Sequence, residues 1–374
     1  MRPFSLLIKP AGASCNLKCD YCFYLDHLDP HKPSPRMSNE VLEHLVKSYM
    51  ATPQPVYGFA FQGGEPTLMG YEFYQNVVKY QKEYGKSGSQ VANGFQTNGI
   101  AITEELAKLF YNYHFLVGVS IDGPPEIHNK YRKTQDGKPT HHMVMGGINI
   151  LKRHQVEFNI LTLVTQANVR RAKQVYRYLK NQHFYYHQYI PCVEWNKDNK
   201  LEPYAISGEE WGKFMCDIFD EWVKDDIHRV SIRHFDSVIE YLVYGRYNIC
   251  QMGKACNTYF VVEANGDVYP CDFFVQDDLK IGNILENTWE ELLNSEIFRK
   301  FASQKSQYSE ICRKCDYLLL CNGDCQKFRG YSDWTRPSSL SSLCSGWKQF
   351  YIHALPKLKD IIQTEILNKK NRIY

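Results

Sequence analysis

The chain has 374 residues, enough for two or three domains and a sizeable core. Hydrophobic residues make up 44% and charged residues 23%, ordinary for a soluble globular protein, and no stretch approaches the roughly 20 apolar residues of a membrane-spanning helix. The net charge of +3 is too small to point to nucleic acid or an anionic membrane as a partner.

The first element is a short apolar strand, Leu6–Lys9. Directly after it, Cys15-Asn16-Leu17-Lys18-Cys19-Asp20-Tyr21-Cys22 sets three cysteines at C-x3-C-x2-C spacing. Eight residues carrying three thiolates can wrap one side of an iron–sulfur cube. A [4Fe–4S] cluster takes four thiolates, so three leave one iron open. An open metal position usually receives something other than protein, as in catalytic zinc sites. The alternatives are a zinc site or three unrelated core cysteines. Met1-Arg2-Pro3 before so short an apolar run is not a secretory leader. The thirteen cysteines therefore read as metal ligands in a reducing cytoplasm, and their odd number argues against complete disulfide pairing.

Strands then alternate with amphipathic helices as far as residue 193. Further strands are expected at Gly58–Gln62, Gly94–Gln96, Leu116–Ile121, Phe158–Val164 and Tyr186–Pro191. The helices between them are Ser38–Tyr49, Tyr71–Lys82, Thr103–Tyr111, His142–His154 and Val169–Lys180. Such alternation implies parallel strands with right-handed crossovers, and six units make an incomplete (β/α) barrel. Sites in such barrels gather at the C-terminal ends of the strands. There lie the cysteine loop, Gly63-Gly64-Glu65-Pro66, Thr97-Asn98-Gly99, Asp122-Gly123 and Cys192-Val193.

Residues 194–249 read as connecting helices. Ser207-Gly208-Glu209-Glu210 matches a capping box opening a helix to Val223, and a second helix is expected over His234–Tyr244. Cysteines then become dense. Cys250 and Cys256 precede an expected hairpin, Tyr259–Glu263 and Val268–Cys271, turning at Asn265-Gly266. Cys312, Cys315, Cys321, Cys325 and Cys344 follow, and Phe350–Asn371 reads as a surface helix with a basic tail. The pairs within Cys312–Cys325 could form a zinc ribbon on their own. That reading strands the other four cysteines of this region, whereas eight thiolates complete two four-ligand clusters.

The cysteine loop, with Tyr21 before its last cysteine, resembles the signature of radical S-adenosylmethionine (radical SAM) enzymes. The resemblance implies that the open iron takes the amino and carboxyl groups of SAM. An electron then cleaves SAM to methionine and a 5′-deoxyadenosyl radical that abstracts hydrogen. It also implies that Gly64 holds the SAM amino group, that Ser120 and Arg132 reach its ribose or carboxylate, and that backbone at Tyr21 and Val193 meets the adenine. An arginine suits a carboxylate through paired charged hydrogen bonds; the alternative for Arg132 is a surface cation. Asp122 is read as a turn residue. The later cysteines resemble the SPASM extension of a subset of these enzymes, with two auxiliary [4Fe–4S] clusters. By that resemblance Cys250, Cys256, Cys271 and Cys325 hold the first, and Cys312, Cys315, Cys321 and Cys344 the second. Cys192 and Cys216 are left over. The expected architecture is thus α/β: an incomplete (β/α)6 radical SAM barrel with connecting helices over residues 1–233, then a small SPASM domain and C-terminal helix over 234–374.

Pro10–Tyr24, Phe59–Leu68, Gln96–Gly99, Val117–Arg132, Val156–Leu161 and Val268–Phe274 most resemble the anaerobic sulfatase-maturating enzymes. These oxidise Cys or Ser in a Cys/Ser-x-Pro-x-Arg motif of a sulfatase to Cα-formylglycine. The partners implied are an unfolded or nascent sulfatase chain and a low-potential electron donor of flavodoxin or ferredoxin type. After loss of a Cβ hydrogen the substrate carbon must lose an electron, to an auxiliary cluster, and a proton. Asp272, next to Cys271, is the candidate base; the alternative is an acid that merely caps backbone donors. Tyr24 and Gln62 are candidates to orient the peptide. Two rival functions remain. One is another SPASM peptide maturase; those often carry an extra recognition domain, for which a first strand within ten residues of Met1 leaves no room. The other is a non-catalytic iron–sulfur electron carrier.

Overall fold

Each expected strand forms in the computed structural model, which describes residues 1–27, 35–198, 200–329 and 339–371. They are β1 (Ser5–Lys9), β2 (Tyr57–Phe61), β3 (Val91–Thr97), β4 (Leu116–Ser120), β5 (Phe158–Val164) and β6 (Tyr186–Pro191). Later come β7 (Ser231–Ile232), β8 (Tyr259–Glu263), β9 (Asp267–Tyr269) and β10 (Gly282–Asn283). The helices between the early strands begin where their caps dictate. Ser38 and Thr103 stand just outside Asn39–Met50 and Glu104–Asn112, and their side chains accept from Val41 N and Leu106 N. The box at Ser207 and Glu210 closes as expected and opens Gly208–Asp225.

The chain packs as two units. One holds Met1–Ile121, His128–Ile160 and Cys256–Ser303; the other holds Asp122–Ile127, Leu161–Ala255 and Gln304–Tyr374. In the first, β1 to β4 run parallel in chain order, with Leu7 beside Ala60, Phe59 beside Asn93 and Phe95 beside Val117. The expected hairpin is present, but it does more than turn back on itself. β8 lies parallel to β1 over its full length, from Ser5 beside Tyr259 to Lys9 beside Glu263, and β9 and β10 extend the edge antiparallel. Phe260, Val261 and Val262 are wholly buried, a continuous apolar run suited to a strand covered on both faces. Phe4 locks this addition in place, its ring 5.2–5.3 Å from those of Tyr49, Phe260 and Trp289.

In the second unit β6 and β7 pair in parallel. The C-terminal helix starts at Cys344 rather than Phe350 and is not confined to the surface. Trp347, Phe350, Tyr351, Ala354 and Leu358 are buried along one face, against the helix Gly208–Asp225. A Cβ on Gly346 would meet Gly208 O at 2.1 Å, so only glycine allows this approach.

Candidate active site

The loop after β1 is held from two sides. Leu17 forms an antiparallel bridge to Thr134, Lys18 N donates to Lys133 O (2.9 Å), and Asp20 N donates to Tyr131 O (3.2 Å). Gln135 Nε2 donates to the carbonyls of Cys15 and Leu17 at 3.1 and 2.9 Å. On the other side Gly64 N donates to Gly12 O and Glu65 N to Ser14 O, both at 2.8 Å. A Cβ on Gly64 would lie 2.1 Å from Ser14 O. The Gly64 amide is therefore committed inside the protein.

Glu65, which sequence reasoning did not single out, is fully buried. Its carboxylate accepts from Thr67 N (3.0 Å), Thr67 Oγ1 (2.7 Å), Thr97 Oγ1 (2.8 Å) and Asn98 N (2.8 Å). Burial still raises its pKa against these four donors. Asn98 in turn donates to Asn16 Oδ1 at 2.7 Å and lies 3.7 Å from Cys15 Sγ. One carboxylate thus ties the loops after β2 and β3 to the cysteine loop. Glu65→Gln would set an amide donor against backbone N–H groups. We expect it to cost about 1–3 kcal/mol, read as a lower midpoint in denaturant unfolding.

Arg132 is buried rather than a surface cation. Its guanidinium lies 5.4 Å from the centre of the Tyr21 ring, and Thr140 Oγ1 donates to its carbonyl at 2.8 Å. Burial raises the Cys22 thiol pKa, with Arg132 pulling the other way; burial pushes Cys15 up to about 11. Ser120 Oγ accepts from Gln96 Nε2 at 3.2 Å.

The pairing of β8 with β1 brings the hairpin's last residues to the same place. Asp272 Oδ2 accepts from Tyr24 OH at 2.6 Å and from Gln62 Nε2 at 3.0 Å. Burial and then the Asp272 charge push the Tyr24 phenol well up, so it serves as donor. Oδ1 is buried without a hydrogen-bond partner among the described residues. Beside Asp272, Cys271 Sγ lies 3.3 Å from Tyr259 Oη. Tyr24, Gln62 and Asp272 are thus one hydrogen-bonded cluster, where the sequence offered three separate candidates.

The second unit carries Val193, buried just beyond β6, and every cysteine except Cys15, Cys19, Cys22, Cys256 and Cys271. Asp122 accepts from Leu163 N at 3.0 Å, a bond to β5 rather than to a neighbouring turn residue. Cys216, half-buried in its helix, directs its thiol to Gln349 O. Cys312, Cys315, Cys321 and Cys344 line a single cleft with Tyr317, Trp347 and Tyr351. Burial, and then the charge of neighbouring cysteines, raises the pKa of Cys344. The loop between Cys321 and Cys325 rests on a buried network with no sequence signal. Asp324 accepts from Gln251 Nε2 and Ser341 Oγ, both at 2.6 Å, and from Trp347 Nε1 at 3.0 Å. Arg329 donates to the carbonyls of Asn322 and Gly323 at 2.9 and 2.6 Å.

The donor sets fit iron–sulfur clusters. No cysteine is engaged in a disulfide, and Cys312, Cys315, Cys321 and Cys344 share one cleft, the four thiolates that a [4Fe–4S] cluster takes.

The radical SAM superfamily model matches residues 10–179, and a SPASM iron–sulfur cluster-binding domain matches 250–316. A serine-type anaerobic sulfatase-maturating enzyme of Bacteroides thetaiotaomicron is 37% identical, over 99% of this chain and 93% of its own. A cysteine-type enzyme of Clostridium perfringens is 38% identical, over 96% and 99%. The solved structure of native anSMEcpe with bound AdoMet and Kp18Cys peptide superposes with a TM-score of 0.91 at 38% identity, covering 97% of this chain and 100% of that one. No helix among the described residues is long and apolar enough to cross a membrane. With this fold, this cysteine loop and relatives matched nearly end to end, the chain belongs to the anaerobic sulfatase-maturating enzymes of the radical SAM superfamily.

Proposed function

We propose that this chain oxidises a Cys or Ser in a Cys/Ser-x-Pro-x-Arg motif of an unfolded or nascent sulfatase to Cα-formylglycine. Cys15, Cys19 and Cys22 would hold the cluster that binds SAM, with Tyr21, Gly64, Ser120, Arg132 and Val193 around the nucleotide. Cys250, Cys256, Cys271 and Cys325 would hold one auxiliary cluster, and Cys312, Cys315, Cys321 and Cys344 the other. Residues 1–233 would form the radical SAM part and 234–374 the SPASM part. Bound together, SAM and the clusters supply the one-electron chemistry: removal of a Cβ hydrogen atom and acceptance of a second electron.

What remains for side chains is a proton. The observation that carries the reading is Asp272, buried, held at Oδ2 by hydrogen bonds from Tyr24 and Gln62, while Oδ1 accepts no hydrogen bond among the described residues. A carboxylate held this way can take the proton that the oxidised carbon must lose. Arg132, buried beside Tyr21, offers the fork that a SAM carboxylate would meet. The electrons would come from a low-potential carrier of flavodoxin or ferredoxin type in the cytoplasm. Serine-type and cysteine-type relatives match about equally, so both target residues are proposed.

The test is anaerobic incubation of the reconstituted protein with SAM, reductant and peptides carrying the Cys or the Ser motif. Formylglycine in the peptide, with 5′-deoxyadenosine, supports the proposal. Thioether cross-linking would indicate a different peptide maturase. Clusters without any 5′-deoxyadenosine would indicate an electron carrier.

A further inference from the structure

One charged group at this site has no part in the reaction described above. Lys9, the last residue of β1, is almost fully buried. A buried ammonium is costly unless paired. Strand register supplies the partner: Lys9 lies beside Glu263 across β1 and β8, and Nζ stands 2.7 Å from Glu263 Oε1. Nζ also lies 4.6 Å from the centre of the Tyr24 ring, on its face. On the remaining side it approaches Asp272 Oδ1 to 3.4 Å, yet that oxygen has no hydrogen bond.

The two oxygens of Asp272 are thus treated differently. Oδ2 is fixed by two donors, Tyr24 and Gln62. Oδ1 is steered by charge alone, without a donor filling its lone pairs. We propose that Lys9, itself aimed by Glu263, is a positioning residue for formylglycine formation. It holds the Asp272 carboxylate in one orientation and leaves Oδ1 open to the substrate proton. Coulomb attraction suits this task, because it restrains the carboxylate without occupying the acceptor.

The inference rests on the proposed function with Asp272 as proton acceptor. Its test is the molar ratio of formylglycine to 5′-deoxyadenosine, measured for the reconstituted wild type, Lys9→Met, Lys9→Arg and Glu263→Gln. Lys9→Met is expected to lower the ratio roughly 10- to 100-fold, the range for a reacting group that loses its support. Lys9→Arg keeps the charge and is expected to recover most of it; Glu263→Gln is expected to fall between. The affinity of the unreduced holoenzyme for the Cys-motif peptide is expected to change less than the ratio does. An unchanged ratio in Lys9→Met overturns the proposal, as does a Lys9→Arg protein as impaired as Lys9→Met. If Lys9→Met fails to fold, Glu263→Gln decides, and a wild-type ratio there overturns it. A wild type that cleaves SAM but makes no formylglycine sinks the functional reading itself, a result distinct from any of these.

Discussion

Cys22→Ala is expected to abolish 5′-deoxyadenosine formation in the anaerobically reconstituted protein. Only three cysteines serve the proposed SAM-binding cluster, so removing one leaves two. The loop offers no substitute. Asn16, its nearest polar side chain, is engaged by Asn98 at 2.7 Å, and the only carboxylate in the segment, Asp20, pairs outward with Lys133 at 3.8 Å. Loss of a residue that supports a metal ligand costs 10- to 100-fold, so loss of a ligand should exceed roughly 100-fold. Iron should fall by about four atoms per chain, one [4Fe–4S] complement. The fold should survive, because the loop is held mainly by backbone bonds to residues 131–134 and to Gly64 and Glu65. Iron analysis with quantified 5′-deoxyadenosine checks this. Undiminished SAM cleavage would remove the loop from its proposed role.

The second large effect is expected from Asp272→Asn. The amide fills the same space, and its oxygen can still accept from Tyr24, so folding and cluster assembly should persist. It cannot take a proton. SAM cleavage should continue while formylglycine formation falls about 10²- to 10⁴-fold, the usual contribution of a placed general base. Separate assays of 5′-deoxyadenosine and oxidised peptide distinguish this from simple loss of protein. Full peptide oxidation by the variant would relieve Asp272 of the task.

Much of the framework was legible in the sequence because its signals are local. Apolar strand runs, Ser38 and Thr103 as caps, the box at Ser207 and Glu210, and the Asn265-Gly266 turn each depend on neighbours a few residues away. What was missed depends on partners distant in the chain. Nothing in Tyr259–Glu263 announces that it will lie along Ser5–Lys9. Glu65 followed two conspicuous glycines, but its four donors come from Thr67, Thr97 and Asn98. No local pattern marks Asp324 or Arg329 for burial. Asp324 is held by Gln251, Ser341 and Trp347, and Arg329 by the carbonyls of Lys305, Asn322 and Gly323.

The sequence by itself determined the chemistry available: thiolates at cluster spacing, glycines where backbones must approach, and one acid beside a cysteine. Those are covalent facts and short-range geometry, and folding does not alter them. Only the tertiary structure decided which of these groups meet. β8 joined the sheet beside β1 because its apolar run Phe260-Val261-Val262 is buried along that open edge and Glu263 meets Lys9 at its end. That single pairing carried Asp272 to Tyr24 and Gln62 and set Glu263 against Lys9, contacts that no pattern within either segment encodes.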